Sequence, residues 1–193
     1  MGYAEWGATI FSLIYLYYAI KNKPICFIYG IIGSGTWAYV SYGGHYVFDA
    51  ALQVFYIIIS IIGIYRWKFG GTNRSELLIT EHKPSSHFYI IIGGSLAAYL
   101  LYWSSQFIEL IDQPLLDAFT TVFLIVGTIL LIERKLSSWI YLIIADLGCI
   151  YMYSLKGWWL FVGMMVIYVV FGIIGYISWR KEKAIIERAL SSA

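Results

Sequence analysis

Asp146 is the one acid that falls well inside a long apolar run of this chain, about eight residues, on the order of 12 Å, from the start of that run. A charge at the middle of a membrane helix costs roughly 2.5 to 3.5 kcal/mol on insertion scales, so such a carboxylate sits near an interface or has a task. Two readings stand. Either it faces a cavity and attracts a cationic ring, or it is satisfied by buried Tyr or Ser hydroxyls and holds helices together. Asp49, Gln53 and Tyr56 fall at i, i+4 and i+7 of another apolar run and line one helical face. A carboxylate at the mouth with an amide one turn deeper suits a polar, cationic solute, although an acid near a helix start also serves as a cap. Trp37, Tyr39, Trp139, Tyr151, Tyr153 and Tyr168 are candidates for stacking or cation–π contacts with an aromatic solute, against ordinary core packing.

The elements that must position these side chains follow from composition. With 61% hydrophobic residues, 12% charged and a mean hydropathy of +0.75, the chain cannot hide its apolar surface in one soluble core. Seven apolar runs are long enough to cross about 30 Å of hydrocarbon: Ala4 to Ile20, Ile25 to Tyr42, Val47 to Trp67, His87 to Trp103, Leu115 to Ile132, Ser138 to Leu155 and Gly157 to Trp179. The fold class is therefore all-α integral membrane. If the spans alternate, Lys21, Lys23, Arg66, Lys68, Arg74, Lys83, Arg134, Lys135, Arg180, Lys181, Lys183 and Arg188 land on one side and Lys156 on the other. That places the N-terminus outside and the C-terminus in the cytoplasm. No cleavable signal is expected, because the first span has no basic segment before it and carries Glu5 at its start.

The chain also repeats itself. Residues Glu5 to Lys68 overlie Asp117 to Arg180 without a gap, pairing Thr9 with Thr121, Tyr29 with Tyr141, Tyr56 with Tyr168, Gly63 with Gly175 and Trp67 with Trp179. The expected organisation is a first three-helix repeat at 4–67, a cytoplasmic loop at 68–86, a linker helix at 87–103, a second repeat at 115–179 and a cytoplasmic tail at 180–193. Three spans, one linker span and three more give parallel repeats, an architecture that holds substrate between its halves. The repeat breaks at several candidates: Asp146 pairs with Ser34, Trp37 with Cys149, Asp49 with Phe161 and Gln53 with Met165. Glu5 and Asp117 are equivalent and read as shared helix caps. Gly63 and Gly175 read as close-packing positions. Tyr65, Trp67 and Trp179 are expected in an inner aromatic belt, and Tyr42, Tyr46, Trp158 and Trp159 in an outer one.

This three-plus-one-plus-three plan resembles the SWEET-like transporters. The segments Asp49 to Tyr56 (DAALQVFY), Ser60 to Trp67 (SIIGIYRW), Asp117 to Thr121 (DAFTT), Tyr153 to Gly157 (YSLKG) and Gly175 to Trp179 (GYISW) are together similar to the Pnu family of vitamin transporters, over about Glu5 to Lys181. The resemblance implies facilitated uptake of a water-soluble vitamin across a bacterial inner membrane. Phosphorylation by a cytoplasmic vitamin kinase then traps the cargo, and the implied state is a homo-oligomer, a trimer. Members carry nicotinamide riboside or thiamine. Nicotinamide riboside members carry a Trp-x-x-Trp pair where this chain has Trp139 and Leu142, and the short N-terminus looks like the thiamine type, so thiamine is the expected cargo and nicotinamide riboside the alternative. A scaffold or binding subunit of a larger permease is a further alternative. No coupling ion is expected, because no second buried acid stands beside Asp146 in the sequence pattern.

Other classes lack their chemistry. His45, His82 and His87 lie in loops or at span ends, Cys26 and Cys149 have no metal-ligand spacing, and there is no phosphate-binding G-x-x-x-x-G-K-[ST] loop. No lysine lies within the seventh span to form a retinal Schiff base. Neither an enzyme, a metal or cofactor protein nor a nucleic-acid binder is expected; the net charge of +2 reflects topology.

Overall fold

The computed structural model describes residues 3–43, 47–105 and 114–191. Seven α-helices carry most of them: α1 (Tyr3–Ile20), α2 (Cys26–Gly43), α3 (Val47–Phe69), α4 (Pro84–Ser105), α5 (Pro114–Ile132), α6 (Ser138–Leu155) and α7 (Trp159–Ser191). One 3-10 turn, Thr72–Arg74, and one isolated parallel bridge between Thr80 and Lys135 complete the regular structure of the described residues. Pro84 and Pro114 each stand first in their helices, where a missing N–H costs nothing.

Among the described residues, four stretches are long and apolar enough to cross a bilayer: Leu52–Phe69, Pro114–Ile132, Ser138–Leu155 and Trp159–Ala189. Trp6–Ile20 and Cys26–Val40 are shorter apolar helices. The seven expected spans all form helices, but α4 is diluted by Ser85, Ser86, His87, Ser95, Ser104 and Ser105. Beyond Trp179, α7 runs unbroken to Ser191, so residues 180–191 of the expected tail are helical. Its last turns are built from Ala, Glu, Lys, Arg and Ile, and Lys183 pairs with Glu187 one turn on at 3.5 Å.

The chain divides into two compact units, Met1–Leu78 with Ile132–Arg134, and Ile79–Leu131 with Lys135–Ala193. In the first, α2 packs on both α1 and α3. The Phe27 ring lies edge-on to Trp67, with centroids 4.9 Å apart, and Gly63 backs directly onto it. In the second, α6 packs on α7, and the Trp139 ring meets Trp179 edge-on at 5.4 Å with Gly175 at its back. These are equivalent positions of the sequence repeat. So are the stacked pairs Phe11 with Tyr29 and Phe123 with Tyr141, at 6.4 and 6.3 Å.

The turns after α1 and α5 match as well. Asn22 and Arg134 both adopt left-handed backbone, with φ of 54° and 47°, and the next N–H, of Lys23 or Lys135, donates to the carbonyl of Tyr18 or Leu130. This is the helix-ending motif that satisfies orphan carbonyls without glycine when Asn or a constrained residue accepts the strain. Trp67 and Trp179, expected as belt residues, are instead fully buried. Each lies edge-on against an aromatic ring, Phe27 or Trp139, that itself backs onto a glycine.

Within the first unit, Arg134 is only 2% exposed. Its guanidinium donates to the Leu77 carbonyl and lies over the Trp67 ring, 4.5 Å from the centroid. Nearby, Arg66 clamps Glu133 with two hydrogen bonds, that from Nε being 2.8 Å.

Candidate functional site

Asp146 lies in the middle of α6 with 6% of its surface exposed. Among the described residues no hydrogen bond or ion pair reaches its carboxylate, and no Tyr or Ser hydroxyl bonds to it. Buried acids without partners are costly in an apolar setting.

The surroundings of Asp146 come from α5 and α6 of the second unit. Cys149 follows one turn later, buried and with a free thiol. The side chains of Asp146, Thr120 and Asp117 all lie near that thiol. Thr120 is buried and returns its hydroxyl to the carbonyls of Leu116 and Asp117, each at 3.0 Å. Gly148 allows the approach, since a Cβ there would stand 2.7 Å from the Thr120 methyl. Thus α5 contributes Thr120 and Asp117 to the surroundings of Cys149. The i, i+3 spacings of Asp117 with Thr120 and of Asp146 with Cys149 were the available signal, but nothing in the sequence pairs the two helices at this height.

In the first unit, Gln53 and Tyr56 are both half-buried on α3. Asp49 falls within α3, and its side chain lies outside the described set, as does that of Glu5. Tyr56 meets Phe55 at 5.7 Å and stands close to Tyr15 of α1, which the sequence pattern did not single out. Gly30 fits against Tyr15 and Ser60, so α1, α2 and α3 converge there. A signal existed, because the repeat partner of Tyr15 is Gly127.

The aromatic candidates separate by placement. Trp139 is fully buried against Trp179 and Gly175, and Leu142 packs on Gly127. Tyr39 is 78% exposed and its equivalent Tyr151 60%, both turned outward from their units. Tyr153 stacks with Trp158 at 6.0 Å and tilts against Phe161 at 5.6 Å. Trp37 and Tyr168 are half-buried on α2 and α7. His45 and Tyr46 lie outside the described residues.

Against known proteins, the family described as nicotinamide mononucleotide transporter matches residues 2–181. The nicotinamide riboside transporter PnuC of Neisseria mucosa is 23% identical over 192 residues, covering 90% of this chain and 70% of the relative. A crystal structure of the vitamin B3 transporter PnuC superposes with a TM-score of 0.72 at 21% identity, covering 94% of this chain and 82% of that one, which is a likeness of fold. A transporter family and several apolar helices long enough to span a bilayer together describe a multi-pass membrane protein. The chain belongs to the nicotinamide mononucleotide transporter family.

Proposed function

We propose that this protein carries nicotinamide riboside across the bacterial inner membrane by facilitated uptake, with the C-terminus cytoplasmic. The cargo is then trapped by cytoplasmic phosphorylation. The observation that carries the reading is the Asp146 carboxylate, buried within α6 without a partner among the described residues, in a chain whose family is that of nicotinamide mononucleotide transporters. A pyridinium ring supplies the missing charge. Thiamine also bears a cationic ring, so Asp146 alone does not separate the two; the relatives favour the nicotinamide cargo, and the expectation of thiamine is not supported by them.

Asp146 is the counter-charge in this proposal, Cys149 and Thr120 complete its surroundings, and Gln53 and Tyr56 are further polar contacts to be tested singly. The fully buried Trp139 serves packing, and Leu142 packs on Gly127.

The test is uptake of labelled nicotinamide riboside into proteoliposomes. Removing one charge-assisted contact is worth about 1.5 to 3 kcal/mol, so Asp146→Asn should raise the apparent KM roughly 10- to 150-fold. Unlabelled thiamine should fail to compete. Competition by thiamine at micromolar levels, or full uptake by Asp146→Asn, would overturn the assignment. The final level should also be unchanged by an imposed proton or sodium gradient.

A further inference from the structure

At about 1.5 Å per residue, the stretch from Trp159 to Trp179 already covers the roughly 30 Å hydrocarbon layer, so Arg180 and the turns after it emerge at headgroup depth. At that depth the second unit contains a cavity of about 310 Å3. One face of α7 lines it with Tyr176, Arg180, Lys183 and Glu187, the segment before α4 adds Glu81, and Leu136 forms an apolar floor.

The charges are arranged unevenly. Lys183 is engaged on both sides, its Nζ 2.7 Å from Glu81 and 3.5 Å from Glu187. Arg180 makes no ion pair or hydrogen bond among the described residues, although it lines the same cavity. Two acids and two bases leave the lining neutral. One guanidinium is available at one end, with carboxylate oxygens held in place by Lys183 at the other. A purely anionic ligand would meet Arg180 but be repelled by Glu81 and Glu187; a zwitterion satisfies both ends.

We propose that this cavity holds the headgroup of a zwitterionic phospholipid of the phosphatidylethanolamine type. The phosphodiester is held by the Arg180 guanidinium and the Tyr176 hydroxyl, and the ammonium by Glu187 and Glu81. Lys183 is the positioning residue, its ammonium bridging the two carboxylates. The inference depends on where α7 leaves the membrane and is independent of the cargo.

The full-length protein in detergent, titrated by native mass spectrometry with dioleoyl phosphatidylethanolamine and dioleoyl phosphatidylglycerol, tests it. The ethanolamine lipid should bind roughly tenfold more tightly. Arg180→Gln and Glu187→Gln should each weaken it by about fivefold or more, while Lys181→Gln, outside the cavity, should not. Arg180→Lys, which keeps the charge but loses the fork, should fall between and guards against misfolding. Equal affinity for the two lipids, or retention by Arg180→Gln, would overturn the proposal. Displacement of the bound lipid by millimolar nicotinamide mononucleotide would also overturn it, by identifying a soluble phosphate ester as the occupant.

Discussion

Gly175→Ala tests whether the packing of α6 on α7 depends on the absence of a single methyl group. A Cβ at 175 would stand 2.7 Å from two atoms of the Trp139 ring and 2.8 Å from a third, where ordinary contacts lie at 3.4 Å or more. The ring cannot retreat, because Trp139 is fully buried and Trp179 stands against it at 5.4 Å. Contacts this short belong to the upper part of the overpacking range, about 2 to 3 kcal/mol, and the better helix propensity of Ala returns about 1 kcal/mol. The net loss should be about 1 to 2 kcal/mol, or roughly 2 to 8 °C in apparent Tm for a chain of this size. Tryptophan fluorescence during heating in detergent measures it. Gly163→Ala is the control, since nothing lies within 4 Å of its Cβ; it should melt at or slightly above the parent. Gly63→Ala should lose a similar amount, because Phe27 meets that Cβ at 2.5 Å and is pinned by Trp67. In the background of Trp139→Leu the penalty of Gly175→Ala should shrink, the two positions being coupled. A Gly175→Ala protein as stable as the parent, or an equal penalty in both backgrounds, would refute the reasoning.

Arg134→Ala should destabilise by about 2 to 4 kcal/mol, combining a charged hydrogen bond to the Leu77 carbonyl with the Trp67 cation–π contact, and Arg134→Lys should recover less than half of it by the same thermal assay. His82 gives a pH dependence. Burial first, then the nearby Lys135 and His87 charges, lowers its pKa below the usual 6.5, and its Nδ1 is buried without a partner among the described residues. The unfolded chain therefore takes up the proton more readily, so stability from this group is full above pH 6.5 and is lost as pH falls through 6.5 toward the folded-state pKa. His82→Gln should flatten the acid side of a Tm against pH curve, and an unchanged slope would assign the effect elsewhere.

Much of this protein is legible in its sequence because helix formation in an apolar chain depends on local composition. Runs without prolines or charges must satisfy their backbone internally, so the seven helices begin and end close to where apolar runs do. The sequence repeat is legible for the same reason: Gly63 and Gly175, with Trp67 and Trp179, recur because each unit packs a glycine and a tryptophan around one aromatic ring. Burial was less readable. An aromatic residue near a span end suits an interfacial belt and a packed core equally, and only the third dimension put Trp67 and Trp179 inside while leaving Tyr39 and Tyr151 outside. The continuation of α7 past Trp179 was hidden because charged residues mark the end of a span but not the end of a helix. Around Asp146, the sequence determined that one acid would be buried in α6, since position along a span follows from residue count. That Thr120 and Asp117 of α5 lie near Cys149, one turn on from Asp146, was decided by tertiary structure, because contacts between helices depend on how their ridges interlock, which no spacing within a single helix records.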